Sequence, residues 1–228
     1  MIKPSVFRLQ RLLASTLFVL LGACGVLNPG QESQRAFYSL DGAGAVEART
    51  PPLAPLPVSS TAPTLIINPP HAAAGFDSRH IVYVREPHRL EHFANSEWAD
   101  TPARMIAPLI VAALEKSATF RAILLTPSAA AGDLRLDVEI VRLQHEFGRS
   151  PSQVRFTLRT YLIDTETRQV LAREEFDESV PAPHDTPYGG VIAANGAVQK
   201  VMARLAVFCA EAVRISRQGS SPRPKSDN

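Results

Sequence analysis

Cysteine is scarce in this sequence: Cys24 and Cys209 are the only two among 228 residues. Neither charge dominates, with 24 basic against 22 acidic residues. Several chemical signatures are missing outright. No Gly-x-x-x-x-Gly-Lys-[Ser/Thr] loop is present to cradle a phosphate, and no Gly-x-Ser-x-Gly elbow to present a nucleophile. Gly189-Gly190 sits at a predicted helix start and reads as a packing or flexibility feature. The six histidines lack zinc-type spacing. His88 and His92 are four apart on a predicted strand, where they do not converge, and His145-Glu146-Phe147 matches no metal motif. Glu174-Glu175 reads as a solvated strand edge. These absences leave no case for an enzyme, a metal or a cofactor.

What is present begins at the amino terminus. Lys3, Arg8 and Arg11 precede an apolar run, Leu12 to Ala23, broken only by Ser15 and Thr16. This is the pattern of a secretory signal peptide. A helix of that run is roughly 18 Å long, short of the roughly 30 Å hydrocarbon core, so it predicts no permanent span. Leu21-Gly22-Ala23-Cys24 resembles the lipobox of bacterial lipoproteins, in which the cysteine thiol takes a diacylglyceryl group and the new amino terminus is acylated. Stable anchoring needs such multiple chains. Cys24 is therefore the expected lipidation site, and residues 1–23 the expected signal peptide. Gly25 stands where an Asp would signal inner-membrane retention, which points to the outer membrane, facing the periplasm.

Removing residues 1–23 moves the formal net charge from +2 to −1, so no basic stripe for nucleic acid is expected. With Cys24 acylated, Cys209 has no disulfide partner, and its place on an apolar helix face makes it a buried core residue.

The mature chain reads as one domain. Residues 24–63 hold a polar spacer, a brief strand at Phe37–Leu40 that docks across a loose loop, and a Pro/Ala-rich linker with Pro51, Pro52, Pro55, Pro57 and Pro63. The domain proper is expected over 64–216, and a disordered tail over 217–228. Short β-branched runs at Leu65–Ile67 and Ile81–Val84 predict buried strands, Arg89–Phe93 a third, and Ala122–Leu125 another. Leu134, Leu136, Val138 and Ile140 alternate; Val141 and Leu143 then switch parity, which predicts a bulge. Gly148–Ser152 and Asp164–Arg168 read as turns between three long antiparallel strands that end near Val180. Thr101-Pro102 and Thr186-Pro187 both read as helix openings. The first helix turns Ile106, Leu109, Ile110, Ala113 and Leu114 inward, with Pro108 expected to kink or reset it. The second carries Val198, Val201, Met202, Leu205, Phe208, Cys209 and Ala212 at helical spacing. The expected fold is α+β: two layers, a mostly antiparallel sheet with two main helices packed on one face.

The stretch Arg79-His-Ile-Val-Tyr-Val-Arg-Glu, then Arg89-Leu-Glu-His-Phe and Glu97-Trp-Ala-Asp-Thr-Pro-Ala-Arg-Met, resembles the ABC-type transport auxiliary lipoprotein family. The likeness continues through Ala112-Ala-Leu-Glu, Leu134-Arg-Leu-Asp-Val-Glu-Ile, Phe176, Gly189-Gly190 and Phe208-Cys-Ala-Glu, about residues 36–215 in all. The Trp98 segment is its most specific element. Gly75-Phe76-Asp77-Ser78-Arg79-His80 departs from the family, where many relatives carry a Leu-Asp-Arg-Pro-like turn; the subfamily and cargo are left open by it.

The resemblance implies a non-catalytic docking component. Its partners would be an MCE-domain substrate-binding protein, an ABC permease and an ATPase that together move phospholipid or another apolar molecule. A periplasmic carrier that holds lipid between sheet and helices, and an unrelated structural or assembly lipoprotein, are the alternative readings. Trp98, with Arg79 and Tyr83, are the candidate structural or partner-proximal residues. Trp98 is read as a lid on the core within a polar loop, Asn95–Asp100, and docking as a matter for neighbouring exposed loops.

Overall fold

The computed structural model describes residues 34–41 and 59–219; the signal peptide, Cys24, most of the Pro-rich linker and residues 220–228 lie outside them. Eleven elements follow in order. They are β1 (Ala36–Tyr38), β2 (Thr64–Ile67), β3 (His71–Ala72), β4 (His80–Val84), β5 (Glu91–Trp98), α1 (Pro102–Lys116), β6 (Ala122–Leu125), β7 (Leu134–Glu146), β8 (Gln153–Asp164), β9 (Val170–Pro181) and α2 (Pro187–Gly219). The result is the expected α+β arrangement of a large, mostly antiparallel sheet and two helices.

β7 is the axis. Its 13 residues span roughly 43 Å at about 3.3 Å each, too long for one short strand to cover. On one edge it pairs with β8 from Leu134↔Asp164 to Glu146↔Gln153, and β8 pairs in turn with β9. On the other edge three short strands run parallel to it in chain order: β2 at Leu134–Leu136, β3 at Glu139–Ile140 and β4 at His145–Glu146. Beyond β7 the sheet therefore forks. One arm continues from β2 to β6, the other from β4 through β5 to β1.

The parity switch after Ile140 is a bulge, with the β7–β8 register shifting between Ile140 and Arg142. Before it Leu134, Leu136, Val138 and Ile140 face the core; after it Leu143 and His145 do. Without the extra residue Arg142, Gln144 and Glu146 would point inward instead. Val154, Phe156, Leu158 and Leu162 of β8 face the same core, as do Ile106, Ile110 and Leu114 of α1 and Val198, Val201, Leu205 and Cys209 of α2. Burial pushes the Cys209 thiol up to about 12, which keeps it protonated and unreactive. On the opposite face, Arg159 Nη2 meets Glu175 Oε2 at 2.8 Å and its Nη1 meets Glu139 at 3.1 Å. Glu174, turned to the α2 side, lies 3.6 Å from Arg204, so each member of the Glu174-Glu175 pair meets an arginine.

Three expectations change. Asn95–Trp98 is strand, not loop: β5 pairs with β1 on one edge and β4 on the other, and pairing on both edges overrides the polar composition. Pro108 does not reset α1, which runs unbroken through it; Pro108 and Arg104, the residue one turn before it, are both exposed, so water can serve the freed carbonyl. The final helix reaches Gly219, taking in residues read as tail. The brief strand at Phe37–Leu40 is found as β1, inside a compact unit that begins at Arg35. Of the two Thr-Pro openings, Thr186 caps with its side chain, its Oγ1 accepting from the Gly189 N–H at 3.1 Å. Thr101 takes the N-cap position without a side-chain bond.

α2 starts hard against β7. A Cβ on Gly190 would lie 2.5 Å from His145 Nδ1, whereas at Gly196 the nearest atom would be Val180 Cγ1 at an ordinary 3.6 Å. Gly190→Ala should therefore cost about 1–3 kcal/mol by overpacking. Gly196→Ala should raise stability by about 0.5–1 kcal/mol, because alanine suits a helix interior better. Urea melts of the two variants check this: opposite signs are expected.

Candidate functional site

Trp98 closes β5 and is 3% exposed. Its N–H donates to the Arg79 carbonyl at 2.7 Å, and Arg79 Nε donates back to the Trp98 carbonyl at 3.1 Å. The Arg79 guanidinium also lies over the Phe37 ring, 5.2 Å from its centroid. Arg79 and Trp98 are thus brought together, and β1 is fastened to them. The Ala99 N–H donates to Tyr38 O at 2.7 Å, and Arg35 pairs with Glu97 at 3.0 Å.

The chain leaving β1 is gripped by α2. Asn195 Oδ1 accepts from the Asp41 N–H at 2.9 Å, and Nδ2 donates to Ser39 O and to Val191 O, each at 3.1 Å. Between these bonds Leu40 is buried, and the Tyr38 ring meets Tyr188 at 6.1 Å.

Tyr83 stands apart from the Arg79–Trp98 pair, near the other end of β4. Its hydroxyl donates to Glu91 Oε2 at 3.2 Å, and its ring packs with Phe93 and Phe147. That aromatic group extends to His145, whose ring lies 4.2 Å from Phe147. His145 and Trp98 then line one small cavity of about 10 Å³, together with Ile81, Leu143, Val154 and Gly190.

His145 also heads a chain that sequence reading missed, running from the buried His145 and Ser152 out to the exposed Asp185. Ser152 Oγ donates to Asp185 Oδ1, whose other donor is the Ser152 N–H at 3.2 Å. The serine proton being used there, His145 Nε2–H is the donor across the 2.8 Å to Ser152 Oγ. Nδ1 is left unprotonated and buried, with no hydrogen-bond partner among the described residues. Burial holds the His145 pKa below the usual histidine value, with Asp185 opposing. The two Ser152 bonds hold Asp185 below the usual carboxylate range. The residue types are those of a hydrolase triad, but the order is wrong: the carboxylate holds the hydroxyl, not the imidazole. Ser152 is fully buried. Chemically this chain joins the β7–β8 turn to the start of α2. The one clue in the sequence was the parity switch, which turns His145 inward where it must find a partner.

Among the described residues no three metal-binding side chains converge. His92 stacks on His80, ring centroids 4.4 Å apart.

Residues 47–206 match the family described as the ABC-type transport auxiliary lipoprotein component. The chain belongs to this family. As an auxiliary lipoprotein it is a membrane-anchored envelope protein associated with an ABC-type transport system. Among curated protein sequences there is no match. Similar solved structures include the DUF330 protein XCC0632 of Xanthomonas campestris, 20% identical with a TM-score of 0.63 over 71% of this chain and 94% of that one. An uncharacterized protein is 15% identical with a TM-score of 0.52, covering 82% of this chain and 99% of its own. These likenesses concern the fold alone.

Two outcomes follow for this auxiliary lipoprotein. Trp98→Ala should cost about 3–5 kcal/mol of unfolding free energy, as removal of a buried aromatic does; a variant melting like wild type would contradict its placement in the core. The second concerns acid. A histidine whose folded pKa is lowered binds its proton more readily when unfolded, so its contribution is complete above about pH 6.5 and declines as pH falls below that. Melting temperature should drop between pH 7 and 5, and the drop should be shallower in His145→Gln. Equal slopes would assign the acid sensitivity to other groups.

Proposed function

We propose that the chain is the lipid-anchored, non-catalytic docking component of an ABC transporter–MCE protein system in a diderm envelope. In this reading acylated Cys24 fixes it to the outer membrane, and the folded domain faces the periplasm. There it receives the MCE-domain substrate-binding protein, which works with the permease and ATPase to move phospholipid or another apolar molecule. The observation that carries this reading is the family match over residues 47–206. The lipobox at Leu21–Cys24 and Gly25 after it supply the anchor and its address. The His145–Ser152–Asp185 chain, with His145 and Ser152 buried, is committed to holding the fold, which fits a role exercised through partners.

A carrier role has one observation in its favour. A cleft of about 380 Å³ opens between the ends of α1 and α2, with Ala62, Ala118, Ala210 and Val213 on its walls and Arg214 and Arg217 at its side. That volume lies in the range of small-ligand sites. Extraction of lipid from the purified domain, followed by its loss in Arg214→Glu, would favour the carrier.

The docking reading is checked in membranes. Intact mass of the membrane-purified protein should exceed the 24–228 peptide by a diacylglyceryl group and one acyl chain, and the protein should fractionate with outer membrane. Cys24→Ala should leave an unlipidated precursor. Crosslinking in intact envelopes should join the wild-type protein to an MCE-domain protein, and ATP should leave the melting temperature of the purified domain unchanged. An unmodified amino terminus would remove the anchor; saturable ATP binding would contradict the non-catalytic role.

A further inference from the structure

β1 is the outermost strand of its arm, and aromatic side chains flank it on both faces. Phe37 points to one side and is 56% exposed under the Arg79 guanidinium. Tyr38 points to the other and meets Tyr188, itself 58% exposed at the start of α2. One turn on, Ile192 is also exposed, and Arg35 lies beside the strand with its side chain 57% exposed. Among the described residues the other exposed large apolar side chains, Leu90, Leu125, Val170, Leu171, Val207 and Ile215, include no aromatic ring. Apolar rings, a phenolic hydroxyl and arginines along one rim form the combination that settles at a membrane–water interface.

The position of this rim in the chain names its occupant. Gln34 is ten residues from Cys24, at most roughly 35 Å of chain even if fully extended. A domain of this size is roughly 40 Å across. The tether therefore cannot hold β1 farther from the bilayer than about the domain's own width. Asn195 clamps the exit of β1 to α2, so the rim cannot swing away from the tether's end.

We infer that the rim formed by Phe37, Tyr188, Ile192, Arg35 and Arg79 rests edge-on against the phospholipid surface to which Cys24 is attached. The inference rests on the anchoring reading above and adds an orientation to it. The opposite end of the molecule, where β9 begins at Val170 and α2 ends, then faces away from that membrane.

The test uses the acylated full-length protein in vesicles of phosphatidylcholine and phosphatidylglycerol with brominated acyl chains, which quench nearby tryptophan. Phe37→Trp and Tyr188→Trp report from the rim, Val170→Trp and Ile215→Trp from the far end. The buried Trp98 gives all four the same background. The fluorescence added by each rim tryptophan should fall at least twofold on brominated lipid, and that added by each far-end tryptophan should not change. Equal quenching at both ends, or none at the rim, in protein that cosediments with the vesicles would overturn the orientation and leave the anchor standing. Protein that stays in the supernatant and lacks acyl mass would overturn the anchor and the orientation with it. An oligomer in detergent that Tyr188→Glu splits into monomers of unchanged melting temperature would assign the rim to a second copy instead and overturn the proposal.

Discussion

Pairing along both edges of β7 is the interaction from which the remaining architecture follows. β8 takes one edge whole and fixes the register of the antiparallel half of the sheet. The other edge is shared among β2, β3 and β4, none longer than five residues. Each of these short strands would be marginal alone. Laid end to end on one continuous partner, each has its ladder supplied from a strand already stabilised by β8. The two arms of the sheet, one ending in β6 and the other in β1, inherit their positions from where β2 and β4 meet β7. The docking of the amino-terminal segment thus depends, through β5 and β4, on the last two residues of β7.

The bulge in β7 makes the strand serve two environments. Its first half turns aliphatic side chains onto the helices; its second half turns His145 toward the start of α2. One extra residue near Val141 decides which side chains after it are inside. The same residue thereby decides whether the Ser152–Asp185 pair has a partner. Gly190 completes the arrangement, since any side chain there would occupy the place of the imidazole.

Much of this was legible in the sequence, and the reasons differ by element. The strand alternation before Ile140, the parity switch after it and both Thr-Pro helix openings are local signals, and each marks a real feature. β5 was legible only as far as Phe93, because Asn95, Ser96 and Glu97 have poor strand propensity and are held by neighbours on both edges. β3 is two residues long, too short to carry a period. Trp98 lies in the core, but on a strand end rather than in a loop. Arg79 could be singled out but not its reciprocal bond with Trp98, which the fold makes across 19 residues. The His145 chain was illegible because its members come from a strand, a turn and the approach to a helix. No spacing in the sequence encodes their meeting.

Asn195 grips the segment after β1 through its backbone, taking the Asp41 N–H and the Ser39 carbonyl. A side chain that reads only peptide groups is indifferent to which residues carry them. Mutation can therefore replace Ser39 or Asp41 without weakening that hold, while Asn195 itself has no equivalent among the residues that lack a donor and an acceptor on one planar group. Pulling on the amino terminus would load the β1 ladder first, and this amide and its helix only after the strand had peeled. Over evolutionary time the segment should drift in sequence around a fixed asparagine.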